Sequence, residues 1–508
     1  MSQIEPPLSF PTKGHPKGLA VLFTTEMWER FNYYGMRAIL VLFMTKALMF
    51  DQVFASNLYG SYISLVWLSP LIGGYIADRY WGNKRSIIAG GLLMALGEFI
   101  LFFCASLYET SQQLSLLLFV SGLGFVIAGN GLFKPNISSL VGQLYPKGDR
   151  RIDSAYTIFY MGINTGGALG PFVCGLVGET GNPADFKWSF LVAGIGMLLS
   201  VIIQKIYQNK YLVAPGGKPI GGVPENSPKM VFNPFFVSIG LAFLCILMIG
   251  ILYLDAKVFS FLSYILPASV LLIAFIVFFD KSLSRLEKER VGVIFILSFF
   301  VIFFWSAFEQ AGASLTFFAD TQTQRDLGFF TIPASIFQSL NSTFVVLFAP
   351  LFAWLWLKLG KYEPSSPLKM AFGLFFLSMG YLWIAFGVKD VQPGIKVSVI
   401  WLTGMYALHT WGELCISPIG LALVNKLAPL KFASLLMAVW FLSNAAGNKL
   451  AGVLSTLYPD NGKTTSFLGY DMNNMYEFFM LFVLMSGAAS IILFFLARKL
   501  KRVMQDGK

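Results

Sequence analysis

The stretch Thr25–Leu40, TEMWERFNYYGMRAIL, carries Glu26, Glu29, Arg30 and Arg37 inside an otherwise apolar run from Leu19 to Leu48. On a helix turning ~100° per residue, Glu26, Glu29, Arg30, Tyr33, Tyr34 and Arg37 share one face. Met27, Trp28, Phe31 and Gly35 take the opposite arc. A charged side chain at mid-bilayer costs ~2.5–3.5 kcal/mol on insertion scales, so this face must look into a bundle or a wet cavity. Lys134 in GNGLFKPN, Glu309 in FWSAFEQAG and Glu413 in HTWGELCISP lie in apolar runs too. The set of seven holds four acids and three bases. One carboxylate is in surplus, and an acid without a counter-charge in a low-dielectric site tends to hold a proton. The chemistry on offer is proton binding and release.

The elements that must position these groups are membrane helices. Of 508 residues, 56% are hydrophobic and 12% charged, against about 25% charged in a soluble domain. Fourteen apolar runs begin near residues 19, 55, 86, 113, 154, 187, 232, 259, 291, 331, 368, 397, 432 and 474. Their length predicts an all-α membrane protein, where a β-barrel would show alternating segments of ~10 residues. The first 18 residues have no signal-peptide pattern, so the first span is expected to remain. Cys104, Cys174, Cys245 and Cys415 fall inside spans without ligand spacing and read as packing residues.

The net charge of +11 orients the chain instead of marking a nucleic-acid partner. Assigning alternate loops to the cytoplasm gathers 26 Lys and Arg there, from Lys13 and Lys17 through Lys147 and Lys229 to the tail Arg498–Lys508. The other side holds 7: Lys46, Lys187, Lys257, Arg325, Lys389, Lys396 and Lys463. Both termini are therefore expected in the cytoplasm of a multi-pass cell-membrane protein. At ~1.5 Å per residue, Glu26 and Arg30 lie in the inner half of the bilayer, while Arg37 and Glu309 share the outer depth. Lys134 and Glu413 both fall in the inner half. Two ion pairs, Arg37–Glu309 and Lys134–Glu413, at different depths would suit two alternating gates. Lys449 reads as a snorkelling residue, and His409, with no second histidine in a span, argues against a metal site.

The Pro- and Gly-rich stretch Tyr207–Val231 reads as a flexible cytoplasmic linker. The two spans after it carry few ionisable residues and look lipid-facing. Setting them aside leaves six spans on each side: residues 1–206 as one six-helix bundle, 207–289 as linker plus two extra helices, and 290–508 as the second bundle. That plan resembles the major facilitator superfamily, as does the loop G-x-x-x-D-x-x-x-G-x-x-R formed by Gly74, Asp78, Gly82 and Arg85.

EMWERFNYYG (Glu26–Gly35), FYMGINTGG (Phe159–Gly167), FEQAG and ELCISPIG together resemble signatures of the proton-dependent oligopeptide transporter (POT/PTR) family. The resemblance implies a symporter that imports di- and tripeptides with protons and needs no other cofactor. It implies that Glu26, Glu29, Arg30 and Glu309 couple protons and that Arg37 faces Glu309. It implies a substrate site of Arg30, Tyr33, Arg37, Lys134, Asn164, Asn341, Glu413 and Trp440. Lys134 and Arg30 would take the peptide carboxylate, Glu413 the amino group, and Asn164 and Asn341 the amide. The expected partners are peptide, proton and lipid bilayer, with the monomer as the working unit. Trp67 stands where relatives often carry Tyr, and the second span lacks the proton-linked His of some relatives. The alternatives are a major facilitator relative carrying another small solute, such as nitrate or a drug. An ATP-driven pump or other enzyme is not expected: DNGKTT (Asp460–Thr465) lacks the glycine a phosphate loop needs, because that position is Leu457.

Overall fold

The structure, a computed structural model, describes residues 14–146, 149–224, 233–255, 260–391, 395–417, 420–459 and 464–505. Lys13, Lys147, Lys229, Lys257, Lys463 and Lys508 of the charge count lie outside those ranges. So do residues 225–231 of the linker, Pro418 and Ile419 of ELCISPIG, and Asp460–Lys463 of DNGKTT.

Each of the fourteen expected spans contains a helix. The first eight are α1 (Lys17–Lys46), α2 (Gln52–Ile76), α3 (Asn83–Leu107), α4 (Gln112–Gln143), α5 (Ile152–Gly178), α6 (Phe186–Tyr211), α7 (Pro234–Leu254) and α8 (Phe261–Phe278). The ninth span is broken. Its α9 (Arg285–Phe308) gives way to a 3₁₀ turn at Glu309–Gly312 before α10 (Ser314–Thr321). Next come α11 (Ser339–Leu359), α12 (Ser366–Val388) and α13 (Val399–Ile416), with the short α14 (Gly420–Leu427) after it. The chain closes with α15 (Ala433–Ser455) and α16 (Met475–Gln505). Two minimal sheets join loop segments: β1 (Thr323–Gln324) runs parallel to β2 (Val397–Ser398), and β3 (Thr465–Phe467) pairs antiparallel with β4 (Tyr470–Met472). Among the described residues, ten helices are long and apolar enough to cross a membrane. The spans below that standard, α1, α5, α13 and α15, carry Glu26, Asn164, Glu413 and Lys449.

The chain falls into two compact units. One comprises Met1–Met36, Ser69–Cys174 and Lys187–Gly250; the other comprises Arg37–Leu68, Gly175–Phe186 and Ile251–Lys508. In the first unit, glycines explain why α1 and α5 lie against each other. Gly162, Gly166 and Gly170 recur every fourth residue and so line one face of α5. A Cβ on them would meet Phe23, Met27 and Phe31 of α1, and one on Gly35 would meet Cys174 and Gly170. Lipid supplies no hydrophobic drive for helix association, so close backbone approach is what holds such a crossing. The GINTGG motif is in this respect a packing stripe. α2 crosses α4 in the same way, where Gly73 abuts the Gly131 carbonyl.

The linker departs from expectation over its first part. α6 runs to Tyr211, Ala214 N–H donates to Lys218 O at 2.7 Å, and Ile220 N–H donates to Leu212 O at 3.2 Å. Lys84 N–H donates to Gly221 O at 3.0 Å, and Gly82, with φ of 73°, leaves no room for a Cβ beside Gly222. Leu212 and Ile220 are buried. This apolar pair docks a stretch whose composition alone reads as flexible.

Candidate transport site

In the first unit the charged face of α1 is enclosed. Arg30 Nε donates to Glu26 Oε1 at 2.9 Å and lies 2.6 Å from Glu29 Oε2. All three side chains are at most 3% exposed, so neither acid is screened by water. Arg30 also sits over Tyr33, 5.6 Å from the ring centroid, and within 6.0 Å of Tyr34. Asn130 of α4 donates to Glu29 Oε1 at 3.5 Å. Lys134, one turn further along α4, is among the charges acting on Glu29. Two acids and two bases thus share one electrostatic site. Asn164 on α5 turns its Nδ2 to its own helix, donating to Tyr160 O at 2.9 Å.

Three hydrogen bonds fix the register of α1. Ser200 Oγ donates to Thr25 O at 2.6 Å, and Asn32 Nδ2 donates both to Ala193 O at 3.0 Å and to Glu98 Oε1 at 3.1 Å. Glu98 is a buried acid on α3 that the sequence reading passed over. Its signal was available: it is the one charge in the apolar run GGLLMALGEFILFFC.

In the second unit, Arg37 Nη2 pairs with Glu309 Oε2 and Arg37 Nε donates to Tyr59 Oη at 2.7 Å. The structure therefore makes the expected Arg37–Glu309 ion pair. The FEQAG motif explains its geometry. The helix break presents Glu309, and Gln310 Nε2 donates to Ser306 O at 3.0 Å and to Ala451 O at 2.9 Å. Gly312 leaves the space that the Tyr59 hydroxyl fills. Beyond this pair, Asp320 Oδ1 accepts from Lys46 and from Arg325, each at 2.7 Å. Glu179 accepts from the Ala334 and Ser335 amides at 2.6 and 3.0 Å.

Elsewhere in this unit Asn341 Nδ2 donates to Glu413 Oε2 at 2.8 Å and to Thr410 Oγ1 at 3.2 Å. Asn341 and Glu413 are half-buried. Trp440 is buried on α15, and Trp67 lies 6.3 Å from Trp305. Lys449 does not snorkel. It is buried and donates to Asp255 Oδ2 at 2.6 Å and to Ser61 Oγ at 2.8 Å. The physical reason is that α7 ends by presenting an acid at the depth of Lys449, so the cation has no need to reach water. His409 is buried against Tyr381, with ring centroids 4.7 Å apart. Cys104, Cys174, Cys245 and Cys415 are free and buried.

Residues 84–469 match the POT family model. The chain belongs to the POT family. This POT-family protein is 36% identical over 465 residues to an uncharacterized transporter, YclF, of Bacillus subtilis, covering 89% of this chain and 90% of that one. It is 35% identical over 458 residues to the peptide transporter YePEPT of Yersinia enterocolitica, covering 87% and 88%. To a di-/tripeptide transporter of Lactococcus lactis it is 32% identical over 464 residues, covering 88% and 90%. A crystal structure of the peptide transporter POT in complex with sulfate matches 98% of both chains, with a TM-score of 0.81 and 32% identity. A POT family transporter in complex with 5-aminolevulinic acid matches at 0.79 and 29% identity, over 97% of this chain and 98% of that one. The POT-family protein is accordingly a multi-pass membrane transporter with the major facilitator fold, and its family is one of transporters and not of enzymes.

Proposed function

We propose that this POT-family protein is a proton-coupled symporter that imports di- and tripeptides by alternating access. The observation that carries the reading is the buried Glu26–Arg30–Glu29 cluster, with Lys134 acting on it, in a chain of this family. Two acids and two bases balance. A peptide carboxylate drawn to Arg30 and Lys134 adds one negative charge, and a proton on Glu29 restores neutrality in a site where net charge is expensive. Carboxylate and proton therefore enter together, and losing the proton to the cytoplasm loosens the peptide.

Glu413, oriented by Asn341, takes the amino terminus, and the Asn164 and Asn341 side chains hydrogen-bond the amide. Tyr33 and Trp440 face the variable side chains. Arg37–Glu309 serves as the outer gate and Lys134–Glu413 as the inner one. The excess of Lys and Arg in alternate loops supports cytoplasmic termini, with the Lys46 end of α1 facing outward. The monomer in the bilayer suffices, and the proton is the only coupling ion.

Proteoliposomes with an inward proton gradient test this. A labelled dipeptide should accumulate, a protonophore should abolish accumulation, and unlabelled di- and tripeptides should compete. Uptake indifferent to the gradient, or competed by nitrate and not by peptides, would overturn the reading.

A further inference from the structure

We propose that Asp255 is a gate residue, and that through it the α7–α8 hairpin holds the outer ends of α2 and α15 together. The proposal rests on the alternating-access reading and assigns a working role to a hairpin that looks from sequence like a lipid-facing addition.

The Asp255 carboxylate uses both oxygens. Oδ1 accepts from the Leu262 amide at 2.6 Å, closing the hairpin at the first turn of α8. Oδ2 accepts from Lys449 Nζ at 2.6 Å and from Ser61 Oγ. Ser61 belongs to the six spans before the hairpin and Lys449 to the six after it. One side chain of the hairpin therefore bridges both halves of the sequence, and all three residues are at most 3% exposed.

The contact lies on a crossing made to close tightly. Gly60, beside Ser61, would bring a Cβ to 2.7 Å from Gly452 Cα and 3.2 Å from Lys449 O. One turn on, Ser56 Oγ donates to Ser455 Oγ at 3.3 Å. The hairpin is strapped to the same helix at its other end, where Lys431, just before α15, donates to Asp280 Oδ2 at 2.7 Å. α8 itself packs on α15 and α9. Ends tied at two depths make α8 follow α15, while the Ser61 and Ser56 bonds must break for α2 to part from it. Removing one member of a buried pair leaves the other charge uncompensated. Hydration of that charge favours the conformation in which the crossing is open.

The test uses full-length protein in intact expressing cells with Ser56→Cys as reporter, since Ser56 is fully buried in the closed crossing. The parental protein, whose four cysteines are buried, gives the background. An impermeant maleimide added outside should modify the reporter about tenfold faster or more in Asp255→Asn and in Lys449→Met, a shift of ~1.4 kcal/mol or more. Asn at 255 keeps an oxygen for the Leu262 amide. Lys449→Met is an independent removal of the pair should the first variant fail to fold. Lys449→Arg, which keeps the charge, should stay near the parental rate. Parental rates in the Asn or Met variant, or a rate in the Arg variant as high as in the Met variant, would overturn the proposal. Dipeptide uptake is scored in the parental protein: parental accumulation with unchanged labelling in the variants refutes the role of Asp255 alone, and altered labelling in the variants without parental accumulation refutes the transport reading alone.

Discussion

Glu29→Gln should uncouple the protein without destroying it. Gln keeps the length of the side chain and an oxygen for the Asn130 amide, which donates to Glu29 Oε1 at 3.5 Å. Arg30 keeps its 2.9 Å bond to Glu26. What is lost is one charge-assisted contact, at 2.6 Å, worth ~1.5–3 kcal/mol, so folded protein should be recovered with a lowered thermal midpoint. Function is affected differently. One proton per peptide supports a tenfold accumulation ratio per pH unit of gradient, ~1.4 kcal/mol. With a gradient of about one unit, the parent should approach a ratio near ~10 and the Gln variant should stop at ~1. Exchange of labelled for unlabelled dipeptide, which needs no net proton movement, should persist in the variant. Reconstituted vesicles report both quantities from one preparation. A Gln variant that accumulates peptide to the parental ratio would refute the assignment of the proton to Glu29. Loss of exchange in a variant that remains folded would show that Glu29 serves binding and not coupling.

Lys134→Ala should weaken peptides with a free carboxylate by about tenfold or more relative to their C-terminal amides, measured as competition for uptake; equal weakening would remove Lys134 from the carboxylate site. Gly170→Leu should place a side chain against Phe31 and Gly35 of α1 and cost ~1–3 kcal/mol by overpacking, read as a lower thermal midpoint in detergent. Asp280 provides a pH prediction outside the membrane. The Lys431 ammonium and the Ser282 hydroxyl hold its carboxyl at about 2, below the ~4 of an unfolded chain. Its stabilising effect is therefore complete above pH ~4 and lost as pH falls through about 2. Asp280→Asn should shift the thermal midpoint equally at every pH between ~5 and ~8, and a slope in that window would refute the assignment.

How much could be read from the sequence depended on whether a residue's own neighbours in the chain revealed its surroundings. The fourteen spans and the enclosed face of α1 were legible because apolar length and helical period are local properties. Arg37–Glu309 was legible because depth can be counted along a helix. Lys449 was misread because its partner Asp255 sits at a helix end that looks like a loop residue, and nothing local says that this end turns inward. Glu98 was legible as the one charge in its apolar run, but its partner was not, because nothing local says that Asn32 lies opposite. The break at Glu309–Gly312 was hidden as well. Gly312 reads as a helix glycine until the Tyr59 hydroxyl is seen in the space it leaves.

The two kinds of glycine crossing suggest why a transporter needs both. Along α1 and α5 the Gly162–Gly166–Gly170 stripe meets Phe23, Met27 and Phe31, with apolar rings and backbone filling the contact. Water entering there would leave apolar surface of Phe23 and Phe31 exposed, so this crossing is built to stay shut. Between α2 and α15 the Gly60–Gly452 contact is flanked by Ser56 with Ser455 and by Ser61 with Lys449 and Asp255. The serine hydroxyls exchange a protein partner for water at little net cost, since a neutral hydrogen bond is worth only ~0.5–1.5 kcal/mol beyond its hydrated alternative, while the Lys449–Asp255 bond, at ~1.5–3 kcal/mol, sets the larger cost of opening. A crossing lined this way can close tightly and still open. Under the proposed gating the same reasoning applies to Arg37 and Glu309, with Tyr59 beside them: their charges, costly in lipid, become inexpensive when the pathway fills with water. Under the alternating-access reading, polar lining at a close-packed glycine crossing distinguishes interfaces that move from those that carry them.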